Sequence, residues 1–285
     1  MSDALGVALY FVASGDVFFL GLGLVAAGVV AGRRSVRVGS SFAWSGVALA
    51  VASAMPIHPA AYGLLIGVVL VWRLTRLKLR RLARPADAVA LACVVGLAAS
   101  ALWEQRAPVV HVATENPVVV IGDSLSADLG SPAEVTWPRL VAASVGVAMS
   151  NRARAGATLA DGLRQARDIP QAPTAVLVEL GGNDLLDGTT QASFEGRLRA
   201  LLGTLTGQGH RVFMFELPLL PLQNGYGRIQ RQVGREYGVV LIPRRVLAGA
   251  ICLPGHATDG LHLSARGHAW LARRVAKLLW GRDAA

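Results

Sequence analysis

The chain divides into two halves with different hydrophobic patterns. Residues 1–103 are almost continuously apolar, whereas from Pro117 onward short apolar runs alternate with stretches of helical periodicity. A run of roughly 20 apolar residues is long enough for a membrane helix. Alternating strands and helices are typical of an α/β domain with a mainly parallel sheet. We therefore predict a helical membrane domain over residues 1–104, a linker over 105–116 and an α/β domain over 117–285.

The first half predicts four membrane spans. Residues 5–32 form the first apolar run, and residues 86–103 form the last. The run between them, residues 39–72, is too long for one helix, and Pro56 and Pro59 divide it because proline disfavours a continuous helix. Asp16 lies inside the first run. An acid there marks either a functional site within the membrane or, as we favour, an interface at which the span begins.

The basic residues predict the orientation of these spans. The net charge is +10, and nine of the 28 Lys and Arg residues fall in two clusters, over residues 33–37 and 73–84, between the apolar runs. Four spans place both clusters on one side, which the positive-inside tendency makes cytoplasmic. We expect an integral protein of a bacterial inner membrane, with the N-terminus and the α/β domain on the extracytoplasmic side. Residues 73–84 also fit an amphipathic surface helix, which leaves this topology unchanged. We expect no nucleic-acid partner, because no recognition motif accompanies the basic residues.

The second half predicts five strands and five helices. The strands cover residues 118–121, 145–149, 175–180, 212–215 and 239–242, and the helices cover residues 137–144, 159–167, 192–205, 228–237 and 265–280. In such sheets, ligands bind beyond the carboxyl ends of the strands. Functional residues are therefore expected directly after the strands.

The polar residues after these strands are those that acyl transfer requires. Ser124 follows the first strand, and a serine hydroxyl attacks a carbonyl when a base such as His262 removes its proton. The imidazole needs an orienting acid, and Asp259 precedes it by three residues. The oxyanion needs fixed donors, for which the backbone amides of Ser124 and Gly156 and the side-chain amide of Asn183 are suitable.

Together these motifs resemble the SGNH/GDSL hydrolase superfamily, in its bacterial arylesterase, lysophospholipase and thioesterase I-like branch. The resemblance covers about residues 118–278 and rests on four ordered blocks: Gly122-Asp123-Ser124-Leu125-Ser126 followed by Trp137-Pro138; Asn151, Gly156 and Thr158; Gly181-Gly182-Asn183-Asp184; and Asp259 with His262. It implies a three-layer α/β/α, flavodoxin-like domain with a mainly parallel five-stranded sheet. It also implies a catalytic Ser124, Asp259 and His262, and an oxyanion hole of Ser124, Gly156 and Asn183. Soluble members of this branch carry a cleavable signal where this chain has apolar runs.

Other polar residues are expected to have supporting roles. Asp123 and Asp184 are expected to stabilise the turns that carry Ser124 and Asn183. Glu179 and Glu216 lie in strand runs and are expected to have structural roles or to lie at the rim of the site. His256 has no suitably spaced partners for a metal, so neither a metal nor a cofactor is expected.

The resulting hypothesis is a membrane-anchored serine ester hydrolase that acts on acyl or lipid esters outside the cytoplasm. The alternative is an acyltransferase that uses the same residues and passes the acyl group to a glycan, lipid or protein hydroxyl. A non-catalytic binding module is disfavoured by the intact set of reactive residues. A transporter is disfavoured because the spans show no internal repeat and few polar groups. The oligomeric state stays open.

Overall fold

The computed structural model describes residues 3–106, 110–115, 117–128, 135–167, 169 and 172–282. The chain forms two compact units. One, the α/β unit, comprises Met1–Tyr10, Ala107–Pro218 and Gly225–Ala285, and the other, the helical unit, comprises Phe11–Arg106 and Leu219–Asn224.

The apolar half forms five helices. They are α1 (Asp3–Ser14), α2 (Val17–Ala31), α3 (Val36–Ala52), α4 (Pro59–Lys78) and α5 (Ala83–Glu104), with a short 3-10 turn over Arg80–Leu82. Within the described residues, α4 and the stretch Arg80–Glu104 are long and apolar enough to cross a membrane. A third span exists only if α1 and α2, which are bent by 84°, count as one, and α3 is shorter. The four predicted spans are thus supported in part, as two or three candidates.

Two local features explain where these helices end. Gly15 has φ of +87°, in the left-handed region that favours glycine, and it breaks the first apolar run just before Asp16. The second break follows α3, where α4 begins with Pro59 at its first turn and His58 Nδ1 accepts a hydrogen bond of 3.2 Å from the Ala60 amide. Proline suits a first helical position because the amide lost there has no helical partner.

Helices α2 and α3 pack through glycine. A Cβ atom added at Gly28 would lie 2.6 Å from the Gly39 carbonyl oxygen, and one added at Gly46 would lie 2.4 Å from the Gly21 carbonyl oxygen. Small residues allow two helix backbones to approach this closely, which is a common basis of helix association in membranes.

A buried carboxylate joins three segments of the helical unit. Asp87, at the start of α5, is 2% exposed and accepts hydrogen bonds from Trp72 Nε1 at 2.9 Å and Arg33 Nε at 3.1 Å. Arg76 pairs with the same carboxylate and also donates to the Gly32 carbonyl. Arg33 and Arg76 belong to the two basic clusters, so both clusters reach the same end of the helical unit.

The α/β unit contains a five-stranded parallel sheet, as the sequence predicted, and the order of its strands is β2-β1-β3-β4-β5. The strands are β1 (Val118–Gly122), β2 (Met149–Asn151), β3 (Ala175–Glu179), β4 (Arg211–Phe215) and β5 (Val240–Ile242). The helices are α6 (Trp137–Val145), α7 (Leu159–Arg167), α8 (Gly182–Leu186), α9 (Gln191–Gly207), α10 (Asn224–Glu236), α11 (Arg245–Cys252) and α12 (Ala265–Trp280).

Alternation along the strands separates the two faces of this sheet. Val118, Val120, Ala175 and Leu177 share one core with residues of α6, α11 and α12. The residues between them point to the opposite face, because side chains alternate along a strand. Helices α7 and α9 pack against each other and contact β1 and β4 respectively. The arrangement is the three-layer α/β/α order that the resemblance implied.

One predicted strand is displaced. The second strand was predicted over residues 145–149 but begins at Met149, because Val145 ends α6 and Gly146, with φ of +77°, caps that helix. Val145 and Val147 are apolar because both are buried in the core and not because they belong to a strand. The short helices α8 and α11 were not predicted.

Candidate active site

The order of the strands brings three predicted site segments to one edge of the sheet. β1 lies between β2 and β3, and the last residue of β1, Gly122, pairs in register with Glu179. The turns after these three parallel strands carry Ser124, Gly156 and Asn183 respectively. Because parallel strands end at the same edge, the topology collects the predicted nucleophile and oxyanion donors from segments far apart in sequence.

Ser124 is half-buried in a tight turn directly after β1. Asp123 holds this turn: its Oδ1 accepts from the Leu125 amide at 3.0 Å, and its carbonyl oxygen accepts from the Ala127 amide at 2.9 Å. A Cβ atom added at Gly122 would lie 2.8 Å from Ser126 Cβ, so the close approach requires glycine. Within the described chain, neither the amide nor the hydroxyl of Ser124 has a hydrogen-bond partner, which leaves both groups available to a substrate.

The predicted oxyanion donors differ in how they are held. Gly156 has φ of +75°, and its amide donates no hydrogen bond among the described residues. The Asn183 Nδ2 group donates to the Ala157 carbonyl oxygen at 2.9 Å and to Asp123 Oδ2 at 3.3 Å. Both hydrogens of this amide are therefore engaged, one of them in the longer bond to Asp123.

Asp259 and His262 form a pair at the mouth of the site. His262 Nδ1 lies 2.6 Å from Asp259 Oδ2, while Asp259 Oδ1 accepts from the backbone amides of Leu261 at 2.9 Å and His262 at 2.8 Å. These donors hold the pKa of the Asp259 carboxyl well below its usual range. The side chains of His262 and Asp259 are 40% and 54% exposed, so the imidazole is accessible.

The structure does not join Ser124 to His262. No hydrogen bond links the two side chains within the part of the chain that is described. Such bonds are often long before substrate binds.

Asp184 connects the turn after β3 to the start of α7. It is fully buried, and its Oδ2 accepts from the Leu159 amide at 2.8 Å. Its Oδ1 accepts from Arg197 at 3.0 Å. These bonds connect the segment that carries Asn183 to α7 and α9.

A buried glutamate, for which a structural role or a rim position was expected, contacts the turn that carries Ser124. Glu179 is 1% exposed, and its Oε2 accepts from Ser126 Oγ at 2.9 Å and from the Asp123 amide at 3.4 Å. Burial beside a second acid raises the pKa of Glu179 well above its usual range and that of Asp123 to about 6. The available sequence signal was a glutamate inside an otherwise apolar strand.

Two other acidic or basic candidates lie in different surroundings. Glu216 follows β4 and forms a buried ion pair with Arg231, with a contact of 2.9 Å between Arg231 Nη2 and Glu216 Oε2. His256 is buried beside Trp270, and its Nδ1 lies 2.8 Å from the Gly249 carbonyl oxygen. Both therefore have structural partners.

A cavity of about 390 Å³ adjoins Gly156. Asp161 is tied to Arg164 and to Thr158, whereas the side chains of Arg154 and Arg167 have no described partner. The cavity is therefore cationic. Its lining comprises Arg154, Ala155, Gly156, Ala157, Asp161, Arg164, Gln165 and Arg167.

Comparison with known proteins agrees with this geometry. Residues 120–270 match the GDSL-like Lipase/Acylhydrolase family. The chain is 29% identical over 181 residues to an arylesterase of Vibrio mimicus, covering 57% of this chain and 87% of the relative. It is 27% identical over 179 residues to the thioesterase 1/protease 1/lysophospholipase L1 of Escherichia coli K12, covering 59% and 86%.

Solved structures resemble the same part of the chain. The crystal structure of TesA matches with a TM-score of 0.50 and 26% identity, over 57% of this chain and 97% of that one. The esterase EstA from a Pseudoalteromonas species, in a structure inhibited by monoethylphosphonate, matches with a TM-score of 0.51 over 57% and 95%. Its identity is 19%, so this likeness concerns the fold alone.

Proposed function

Because the chain belongs to the GDSL-like lipase/acylhydrolase family and is a serine ester hydrolase, we propose that it cleaves acyl or lipid esters through an acyl-enzyme formed on Ser124. The observation that carries this proposal is the Ser124 hydroxyl in the turn after β1, which has no hydrogen-bond partner among the described residues, together with the paired Asp259 and His262. The relatives described as an arylesterase and as a thioesterase and lysophospholipase indicate carboxylic esters or thioesters as the substrate class.

In the proposed reaction, Ser124 Oγ attacks the carbonyl carbon while His262 Nε2 takes the hydroxyl proton. Asp259 keeps the Nδ1 hydrogen of the imidazole in place and stabilises the imidazolium. The alcohol or thiol then leaves with the proton from His262. Water, activated by the same imidazole, attacks the acyl-enzyme and releases the acid. No cofactor is required for these steps.

The amides of Ser124 and Gly156, together with Asn183, are proposed to stabilise the oxyanion. The two backbone amides have no partner among the described residues and can donate without giving up a described bond. Asn183 has to redirect one hydrogen, and its 3.3 Å bond to Asp123 is the weaker of its two bonds.

We further propose that the apolar half anchors the enzyme, with residues 1–104 in the membrane, residues 105–116 as a linker and residues 117–285 as the hydrolase domain outside the cytoplasm. Two helices long and apolar enough to cross a membrane support anchoring. The shared contact of Arg33 and Arg76 with Asp87 supports placing both basic clusters on one side. Positive charge favours the cytoplasmic side of a membrane.

Hydrolysis of a p-nitrophenyl ester series by detergent-purified protein tests the chemistry. We expect Ser124→Ala to lower turnover at least about 10³-fold, because the nucleophile is lost. Ser144→Ala is the matched control, since Ser144 lies in α6 and its hydroxyl donates to the Val141 carbonyl. Equal turnover by wild type and Ser124→Ala would refute the proposal. Acyl transfer to an added hydroxyl acceptor, without hydrolysis, would instead identify the acyltransferase.

Reporter fusions test the topology. A reporter enzyme that is active only outside the cytoplasm should be active when fused after Ala285 and inactive when fused after Arg80. The reverse pattern would place the hydrolase domain in the cytoplasm.

A further inference from the structure

The turn that carries Ser124 rests on a buried hydrogen-bond network. Ser126 Oγ donates to Glu179 Oε2 at 2.9 Å and accepts from Trp137 Nε1 at 3.1 Å. The Ser126 carbonyl oxygen accepts from Asn151 Nδ2 at 2.7 Å. Ser126 is fully buried, and Glu179 is 1% exposed. The buried Glu179 carboxyl group thus holds this turn in place through Ser126.

Glu179 also touches the acid that precedes the nucleophile. The Asp123 amide donates to Glu179 Oε2 at 3.4 Å, and both acidic side chains are buried. The other charged groups that act on Asp123 from the surrounding segments are Asp184 and His262. Ionising both of two adjacent buried carboxyl groups costs a large free energy, because their like charges repel each other away from water. A proton is therefore retained between them.

The hydrogen bonds indicate which acid keeps that proton. Asp123 accepts from the Leu125 amide through Oδ1 and from Asn183 Nδ2 through Oδ2, the pattern of an ionised carboxylate. Among the described residues, Glu179 accepts hydrogen bonds only through Oε2, so its other oxygen can carry a hydrogen.

We propose that Glu179 is a positioning residue that acts in its protonated form, holding the nucleophile turn through Ser126 and orienting Asn183 through Asp123. This inference rests on the proposed function of the same site. The neutral carboxyl accepts from Ser126 and donates to Asp123, so Asp123 stays the single anion of the pair. A second anion would repel Asp123 and oppose the oxyanion that forms nearby.

Glutamine reproduces this pattern, because its carbonyl accepts, its amide donates and it carries no charge. We therefore expect Glu179→Gln to keep kcat within about threefold of the wild-type value, whereas Glu179→Ala lowers kcat by about tenfold or more, with KM unchanged. Ser126→Ala, which cuts the link while changing little volume, should lower kcat in the same direction. The control is Glu216→Gln, a buried strand-end glutamate whose partner is Arg231, and it should leave the kcat of the folded protein unchanged.

The comparison of these variants decides the proposal. If Glu179→Gln loses as much kcat as Glu179→Ala, the charge is needed and a neutral role is refuted. If Glu179→Ala and Ser126→Ala both keep the wild-type kcat, Glu179 only fills the core. Should Glu179→Ala fail to fold, Glu179→Gln and Ser126→Ala give the same decision. Wild-type turnover that Ser124→Ala abolishes establishes the hydrolase independently, so a failure of one proposal is distinguishable from a failure of the other.

Discussion

Both units bury carboxylates, but the groups that stabilise the negative charge differ between the two units. In the helical unit, Asp87 is balanced by Arg33 and Arg76 and ties together three helix ends. In the α/β unit, Asp123 and Glu179 lie against each other and receive hydrogen bonds from neutral donors. A carboxylate paired with arginines is a stable anion that holds the structure together. Two adjacent acids without a cation partner have shifted pKa values, as groups at reactive sites commonly do.

Removal of the carboxylate from the helical unit should give the largest loss of stability. Asp87→Ala leaves Arg76, whose side chain is 13% exposed, without its ion partner. Breaking one side of such a buried pair typically costs about 3–5 kcal/mol of unfolding free energy. Thermal unfolding in detergent measures this loss, and the molecules that stay folded should hydrolyse esters with the wild-type kcat.

Arg33→Ala serves as the graded control for this comparison. Its side chain is 57% exposed, so its removal should cost about 1 kcal/mol or less. Equal losses from Asp87→Ala and Arg33→Ala would show that Asp87 is not the centre of the cluster. A kcat decrease in folded Asp87→Ala would contradict a purely structural role.

The corresponding change in the α/β unit should affect rate. Asn183→Ala removes a proposed transition-state donor, so kcat should fall by about 10²–10³-fold while KM stays similar. Gln230→Ala is the control, because Gln230 is a fully buried amide that bonds Leu217 and Phe215 away from the site. It should lower stability without lowering the kcat of the folded enzyme. A near-normal rate for Asn183→Ala would remove Asn183 from the oxyanion hole.

The fold was predictable where a short apolar run in the sequence corresponds to only one kind of structural element. Alternating apolar runs placed β1, β3, β4 and β5 within a residue at their ends, because buried parallel strands are short and apolar. The pattern failed at β2, where Val145 is apolar as part of a helix. In the helical unit, uniform apolarity does not specify where a helix bends, so the break at Gly15 and the short α3 were not predicted.

The candidate site was predictable where its contacts are local. Asp259 and His262 are three residues apart, and the turn between them brings their side chains together. The contact of Asn183 with Asp123 follows from the adjacency of β1 and β3, which the family resemblance implied. The role of Glu179 was missed because it depends on its register with Gly122 and on Ser126, neither of which a strand pattern specifies.

The buried acid pair should make the stability of the α/β unit depend on pH. The pKa of Asp123 rises from 3.8 to about 6 on folding, so the folded state binds this proton more tightly. The resulting stability is present below pH 3.8 and is lost as pH rises to about 6, with a change of about 3 kcal/mol. Asp259, whose pKa is lowered, acts in the opposite direction, and its contribution is lost only as pH falls below its usual range.

Unfolding free energies at pH 4 and pH 7 measure this effect. The difference between the wild type and Asp123→Asn should change across the interval from pH 3.8 to about 6, since asparagine does not titrate. The same comparison for Asp259→Asn should show little change there. A constant difference for Asp123→Asn would mean that Asp123 titrates alike in the folded and unfolded states.

The smallest expected effect concerns the cationic cavity beside Gly156. Arg154 lines this cavity without a described partner, whereas Arg164 is neutralised by Asp161. An exposed charge contributes about 0.2–1 kcal/mol to a favourable contact, so Arg154→Gln should raise KM by at most about fivefold for an ester that carries a phosphate or carboxylate. KM for a neutral ester of equal length should not change, and Arg164→Gln should have the weaker effect on the anionic ester. Equal changes for both esters would mean that the cavity contributes shape and not charge to substrate selection.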